Sequence, residues 1–213
     1  MATLRFHLIA EAEARQIPEG ATVELEPGGH VTPLARDTLA ARRITVVPAG
    51  TTDAAIPDDL APACPVTRVA IAGDHTSLPL KTALVRHLRS QGVAVDDLGS
   101  DSTDPVDYPD LAIRVGRAVA RREVDGGIVI DGSGLGSAMA ANKVRGVRAA
   151  MCSTPTLARY AREHIGANVL TLGATLLTPD DAIAIVDVWR TTAMREPRYL
   201  RRLLKVQRAE EGR

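Results

Sequence analysis

One sixteen-residue stretch limits the possible folds more than any other: Ile128–Lys143, IVIDGSGLGSAMAANK. Three apolar residues, 128–130, read as a buried strand. Asp131 follows, then a turn with glycine at every second position (Gly132, Gly134, Gly136), then a helix of small residues. Glycine admits unusual backbone dihedrals and close approach of a ligand. A turn that leads into a helix aims unpaired N–H groups at one point, and the helix dipole favours negative charge there. An anion or a developing oxyanion is therefore expected over Gly132–Gly136, with Asp131 beside it. The same motif also serves many α/β proteins simply as a way to turn the chain.

The residues around it repeat the alternation. Strands are expected at Val69–Ala72, Val93–Leu98, Gly127–Ile130, Arg148–Met151 and Val169–Leu172. Helices are expected at Leu78–Gln91, Tyr108–Arg122, Thr156–Glu163 and Asp180–Thr192. Strand–helix alternation predicts an α/β fold: a five-stranded parallel sheet, Rossmann-like, covered on both faces as a three-layer sandwich. Ligands in such sheets sit beyond the carboxyl ends of the strands. That rule gathers Asp74 and His75 after the first strand with Asp131 and Ser133 after the third, and brings Cys152 near.

Residues 1–47 read as a small, separate α+β module. Leu4–Ile17 has helical spacing (Leu4, Leu8, Ala12) and stops at Pro18, Glu19 and Gly20. Ala21–Leu25 alternates like a strand, and Pro27-Gly28-Gly29 turns it. Thr32 then caps a helix that has Pro33 at its first position. Leu34–Arg42 is that helix and Ile44–Val47 the next strand. Residues 48–65, with their prolines, threonines and acids, read as a linker, and 66–213 as the main domain.

Composition excludes several classes. Lys plus Arg and Asp plus Glu are both 26, so no general nucleic-acid-binding surface is expected. No apolar run is long enough for a bilayer, and no membrane association is expected. Cys64 and Cys152 form no disulfide framework and fit a reducing cytoplasm. Cys152 reads as a small buried residue. No His, Cys or acid cluster has zinc spacing, so no metal is expected. The glycine run lacks the third dinucleotide glycine, and no nicotinamide cofactor is expected. His7 and His87 read as surface or packing groups on helices, and Trp189 as a core or dimer contact.

Several ordered matches now stand together: Ala70–His75 (AIAGDH), Asp107–Asp110 (DYPD), Gly127–Lys143, Gly146–Ala150 (GVRAA), Arg162–His164 (REH), Ala167–Gly173 (ANVLTLG), and the pair Arg198 and Arg202. With these the chain, from Val66 to about Arg202, resembles the ribose-5-phosphate isomerase B family, which also contains the galactose-6-phosphate isomerase subunits. The resemblance implies a three-layer α/β fold and a homodimer, or a tetramer built from it, with sites at the subunit interface. It implies cofactor-independent isomerisation of a phosphorylated sugar.

Aldose–ketose interconversion moves a proton between adjacent carbons through an enediolate, whose oxygen needs donors already in place. Amides of Gly132, Gly134, Leu135 and Gly136 suit that task, and Ser133 could add a hydroxyl. By resemblance, Asp74, His75 and Tyr108 line the sugar pocket, and His164 opens the cyclic substrate by moving a proton between ring oxygen and anomeric hydroxyl. Arg198 and Arg202, four apart on a helix, could clamp the phosphate; alone they would read as a solvated basic helix end.

The chain also departs from the family. Many members carry a cysteine base just before the glycine loop, where this chain has Asp131. Others carry a glutamate just after it, where this chain has Ser137. Asp131 is the inferred base, and because an ordinary aspartate titrates near about 3.9, burial would have to raise it. The opposing reading makes Asp131 a cap on the turn amides. Ile165 follows His164 where the family has an asparagine, removing a polar contact to the sugar. Two readings result: an isomerase of a four- to six-carbon phosphorylated sugar, or a silent subunit that binds a protein partner through residues 1–65. The run Thr32–Asp37 (TPLARD) is similar to pieces of bacterial metabolic compartment proteins, which implies such a compartment as a location.

Overall fold

The structure is a computed structural model and describes residues 4–49, 60–194 and 196–212. The chain divides into two compact units, Met1–Pro57 and Asp58–Arg213. Most of the linker expected at 48–65 lies outside the described residues. Residues 60–65 are described, and they belong to the second unit. Leu60 is buried, and the Ala63 carbonyl accepts from the Arg162 guanidinium.

The first unit runs β1 (Arg5–Ile9), α1 (Glu11–Gln16), β2 (Thr22–Val31), α2 (Pro33–Ala41) and β3 (Thr45–Pro48), with a parallel sheet in the order β1-β2-β3. Ile9, Ala14, Ile17, Val23, Ala35, Leu39 and Ile44 form its own core. The helix expected from residue 4 begins only at Glu11; residues 5–9 are a strand, and His7 lies on it rather than on a helix. The period was misleading because the β1–β2 register shifts between Phe6 and Leu8. The shift breaks the two-residue alternation that marks a strand. The expected turn at Pro27-Gly28-Gly29 is the other side of that irregularity. A Cβ on Gly29 would sit 2.8 Å from the carbonyl oxygens of Glu26 and His7, and the strand resumes beyond it to Val31. Thr32 caps α2 as expected, its hydroxyl accepting from Ala35 N.

The second unit runs β4 (Arg68–Gly73), α3 (Leu78–Ser90), β5 (Ala94–Asp97), α4 (Tyr108–Ala120), β6 (Gly126–Asp131), α5 (Leu135–Ala141), β7 (Ala149–Met151), α6 (Pro155–Ile165), β8 (Val169–Gly173), α7 (Pro179–Thr191) and α8 (Pro197–Glu210). All five strands are parallel, ordered β5-β4-β6-β8-β7. Alternate residues divide between two cores. Val69, Ile71, Ile128, Ile130, Leu170 and Leu172 face α3, α6 and α7, while Ala70, Ala72, Val129 and Val169 face α4 and α5. Continuous apolar strands of this kind are what a sheet covered on both faces requires. Trp189 is fully buried in the first of these cores, and His87 pairs with Asp187 at 2.9 Å. Thr154 and Thr178 each cap a helix that begins with proline, repeating the Thr32–Pro33 device.

This topology fixes where a ligand can lie. The chain moves from β4 outward to β5, then crosses back to β6 on the other side. The crevice between the carboxyl ends of β4 and β6 is therefore the switch point.

Candidate active site

At that switch point Asp74 N donates to Ile130 O, stitching the two strand ends together. Asp74 is buried, and its Oδ1 accepts from Thr76 N (2.9 Å) and Thr76 Oγ1 (2.6 Å). His75 Nδ1 accepts from Val106 N at 3.4 Å, so a neutral ring carries its proton on Nε2 as a free donor. Tyr108, at the start of α4, packs against the glycine loop. A Cβ on Gly136 would lie 2.6–2.9 Å from its ring and hydroxyl.

The glycine loop has one geometric demand that only glycine meets. Gly134, the cap residue of α5, has φ +79, and a Cβ there would come within 2.9 Å of the Leu172 carbonyl carbon. Side chains hold the loop from outside: Thr171 Oγ1 donates to Gly134 O at 2.8 Å, and Thr175 Oγ1 to Gly132 O at 2.6 Å.

An anion does sit over the turn, and it is the carboxylate of Asp131. Oδ1 accepts from Ser133 N (2.7 Å) and Gly134 N (2.5 Å), and Oδ2 from Ser137 N (2.8 Å). Two expectations change. Three of the amides in this turn are engaged by the protein's own carboxylate rather than open to an enediolate. The pKa of Asp131 is lowered, not raised. Burial pushes it up, with the residue only 4% exposed, but Ser137 (side chain and amide) and the amides of Gly134 and Ser133 outweigh that push. The Ser137 hydroxyl lies close enough to stabilise the charge, yet, fully buried, it makes no hydrogen bond of good geometry among the described residues. Capping was the opposing reading in sequence, and the hydrogen bonds show it directly. Ser133 is half-buried, its Oγ accepting from Leu135 N at 3.3 Å.

His164, Arg198 and Arg202 form a second group. The His164 ring stacks on Tyr160 (centroids 4.7 Å, 13° between planes) and tilts against Tyr199 (4.5 Å, 37°). Both arginines lie against the same Tyr199 ring, at 4.7 and 5.7 Å from its centroid, with exposed guanidiniums. Sequence reasoning missed both tyrosines; an aromatic four residues before His164 was the available signal. His164, Tyr199 and Arg202 line a cleft of about 1300 Å³ together with Arg148 and Asn168.

The two groups lie at opposite edges of the sheet. Helix α6 runs back antiparallel to the strands it joins, so its carboxyl end, with His164, reaches the amino edge. There it meets Asn168, just before β8. Asp131 closes β6 at the carboxyl edge. A strand of six residues such as β6 spans roughly 17 Å, so one protomer does not bring these groups into a single pocket.

Cys152 is buried, and desolvation pushes its thiol up to about 11, which leaves it inert near neutrality. Among the described residues no group of three or more His, Cys, Asp or Glu could hold a metal, and no helix is long and apolar enough to cross a membrane.

Known proteins cover the second unit. The Ribose/Galactose Isomerase family model matches residues 69–206. Ribose-5-phosphate isomerase B of Escherichia coli is 40% identical over 146 residues, covering 68% of this chain and 98% of that protein. Among solved structures, ribose-5-phosphate isomerase B of Clostridium thermocellum superposes with a TM-score of 0.67 at 40% identity, covering 68% of this chain and 98% of its own. The Mycoplasma genitalium enzyme with bound ribulose-5-phosphate gives 0.66 at 40% identity, covering 68% and 97%. The matched region holds both groups of site residues and the sheet between them, and on that extent the chain belongs to the ribose/galactose isomerase family of sugar-phosphate isomerases.

Proposed function

We propose that this chain interconverts an aldose and a ketose phosphate of four to six carbons by enediolate proton transfer, in a site completed by two copies of the chain. One observation carries the reading. A relative that this chain matches over nearly its whole length holds ribulose-5-phosphate, and the matched region contains every residue the chemistry calls on. The carboxyl-edge group of one copy faces the His164, Arg198 and Arg202 group of the other. His164 moves the ring-opening proton, and the two arginines hold the phosphate.

Asp131 is the base. Its amide donors keep it ionised throughout the neutral range, so it is always ready to accept a proton. The same donors reduce its affinity for that proton, and Oδ2, with a single amide donor, is the better acceptor of its two oxygens. Carboxylates of ordinary pKa do serve as bases for protons next to a carbonyl. Asp131 takes the amides of Ser133, Gly134 and Ser137, and the Ser133 hydroxyl also points at its Oδ1, at 3.5 Å, so the Gly132 and Gly136 amides and His75 Nε2–H are the donors for the enediolate oxygen. Ile165, 51% exposed directly after His164, offers sugar hydroxyls no hydrogen bond, which favours a substrate other than ribose 5-phosphate.

The engagement of the turn amides by Asp131 favours a second reading: a silent family member that acts as a binding subunit, with the N-terminal unit as its contact module. Incubation with a panel of aldose and ketose phosphates in heavy water separates the two. Carbon-bound deuterium in any one sugar is the outcome expected of the isomerase; a folded protein that exchanges none of them is the silent subunit.

A further inference from the structure

The cleft at the amino edge has a wall that the sequence assigned to a linker. Leu60, Ala61, Pro62 and Ala63 line it together with His164 and Arg202. These residues precede β4 and form the path by which the chain enters the second unit. Their position is fixed from the inside. Arg162, fully buried two residues before His164, donates Nη2 to Ala63 O, Nη1 to Ala167 O at 2.8 Å and Nε to Thr192 O at 3.4 Å. Its guanidinium also lies over the Trp189 ring at 5.1 Å. A buried cation whose three nitrogens each donate to a different backbone carbonyl holds those three segments in one geometry. Pro62 reaches the end of α6: its Cδ would be 3.3 Å from a Cβ on Gly166, two residues past His164, where Leu203 of α8 also closes in at 3.0 Å. Leu60 is 6% exposed, so the segment is packed at its first residue and tied through the Ala63 carbonyl at its last.

We infer that residues 60–63 are a positioning element of the sugar-phosphate site, an aliphatic wall of the cleft that Arg202 also lines, which sets how deeply the phosphorylated end of the substrate enters beside His164. This rests on the isomerase reading for the identity of the ligand. It adds that a segment outside the matched family region shapes the site. The four side chains carry no hydrogen-bonding group, so the wall acts by excluding volume and water rather than by recognition. Ala61 is half-buried and faces this space, which makes it the place to change that volume.

The experiment uses the full-length chain and its Ala61→Trp variant. Calorimetric affinity for ribulose 5-phosphate and for inorganic phosphate is measured beside the kinetics of whichever sugar phosphate turns over. The expected result is at least tenfold weaker sugar-phosphate binding and a matching rise in KM, with kcat within about twofold. If Ala61→Trp does not fold, Ala61→Leu gives the smaller change in the same direction. Unchanged affinity in the folded variant overturns the inference, as does failure of the wild-type protein to bind either ligand. Binding that weakens in the variant of a protein with no turnover would reject the isomerase reading and keep the wall.

Discussion

The two edges of the main sheet are built on opposite principles. At the carboxyl edge the site is backbone: Asp131 is buried and bonded to three amides, Gly134 has a conformation only glycine takes easily, and Thr171 and Thr175 lock the loop from outside. At the amino edge it is side chain: His164 between two tyrosines, and two exposed arginines on a late helix. The first cannot be altered without cost to the fold. The second is made of surface side chains, and in the proposed mechanism it meets the first across two copies. The proposed mechanism puts the chemistry that tolerates no misplacement on the rigid edge and the substrate grip on the adjustable one.

Variants that break the rigid edge should have the largest effects. Asp131→Asn removes the proposed base and should lower deuterium exchange about 10³-fold. It should also destabilise the protein by about 2 kcal/mol, the scale of a buried hydrogen bond to a charged group, read by chemical denaturation. Asp131→Cys separates the two roles, losing the stability but keeping exchange. Gly134→Ala should cost 2 kcal/mol or more, on the order of the penalty for a strained backbone position, because its Cβ meets the Leu172 backbone.

The adjustable edge should respond more mildly. Arg198→Ala and Arg202→Ala should each raise KM roughly tenfold, as loss of one charge-assisted contact does, with the melting temperature unmoved. Tyr160→Leu, which unstacks His164, should lower kcat severalfold, with Tyr160→Phe restoring it.

The pH response sharpens the same contrast. The folded-state pKa of Asp131 lies below its unfolded value, so its stabilising contribution is complete above the ordinary aspartate range and is lost as pH falls through the folded value. Stability attributable to Asp131 should therefore be flat from neutrality down to about pH 5 and fall below about pH 4. Asp131→Asn should remove that acid limb.

The sheet was legible because its central strands β4, β6 and β8 are short continuous apolar runs, and helical stretches alternate with them along the chain. The N-terminal strand was not, because a register shift at Phe6–Leu8 erased its alternation. At the site, Asp131, His75 and Gly134 were found from position alone: acid and glycine at a strand end. What Asp131 bonds to was not legible, since capping and catalysis ask for the same residue at the same place. The Tyr160–His164–Tyr199 stack joins α6 to α8 across 35 positions, which no local pattern encodes. Arg162 read as part of a family motif, and its grip on Ala63 appears only in three dimensions.

Complementation tests the central claim, a site shared between copies, most directly. Asp131→Asn and His164→Ala are each expected to be inactive alone. Unfolded, mixed in equal amounts and refolded, they should pair at random as two-fold dimers, and about a quarter of all sites then combine an intact carboxyl edge with an intact amino edge. Recovery of about a quarter of wild-type exchange is the predicted result. No recovery from a mixture shown to contain mixed dimers would contradict the account.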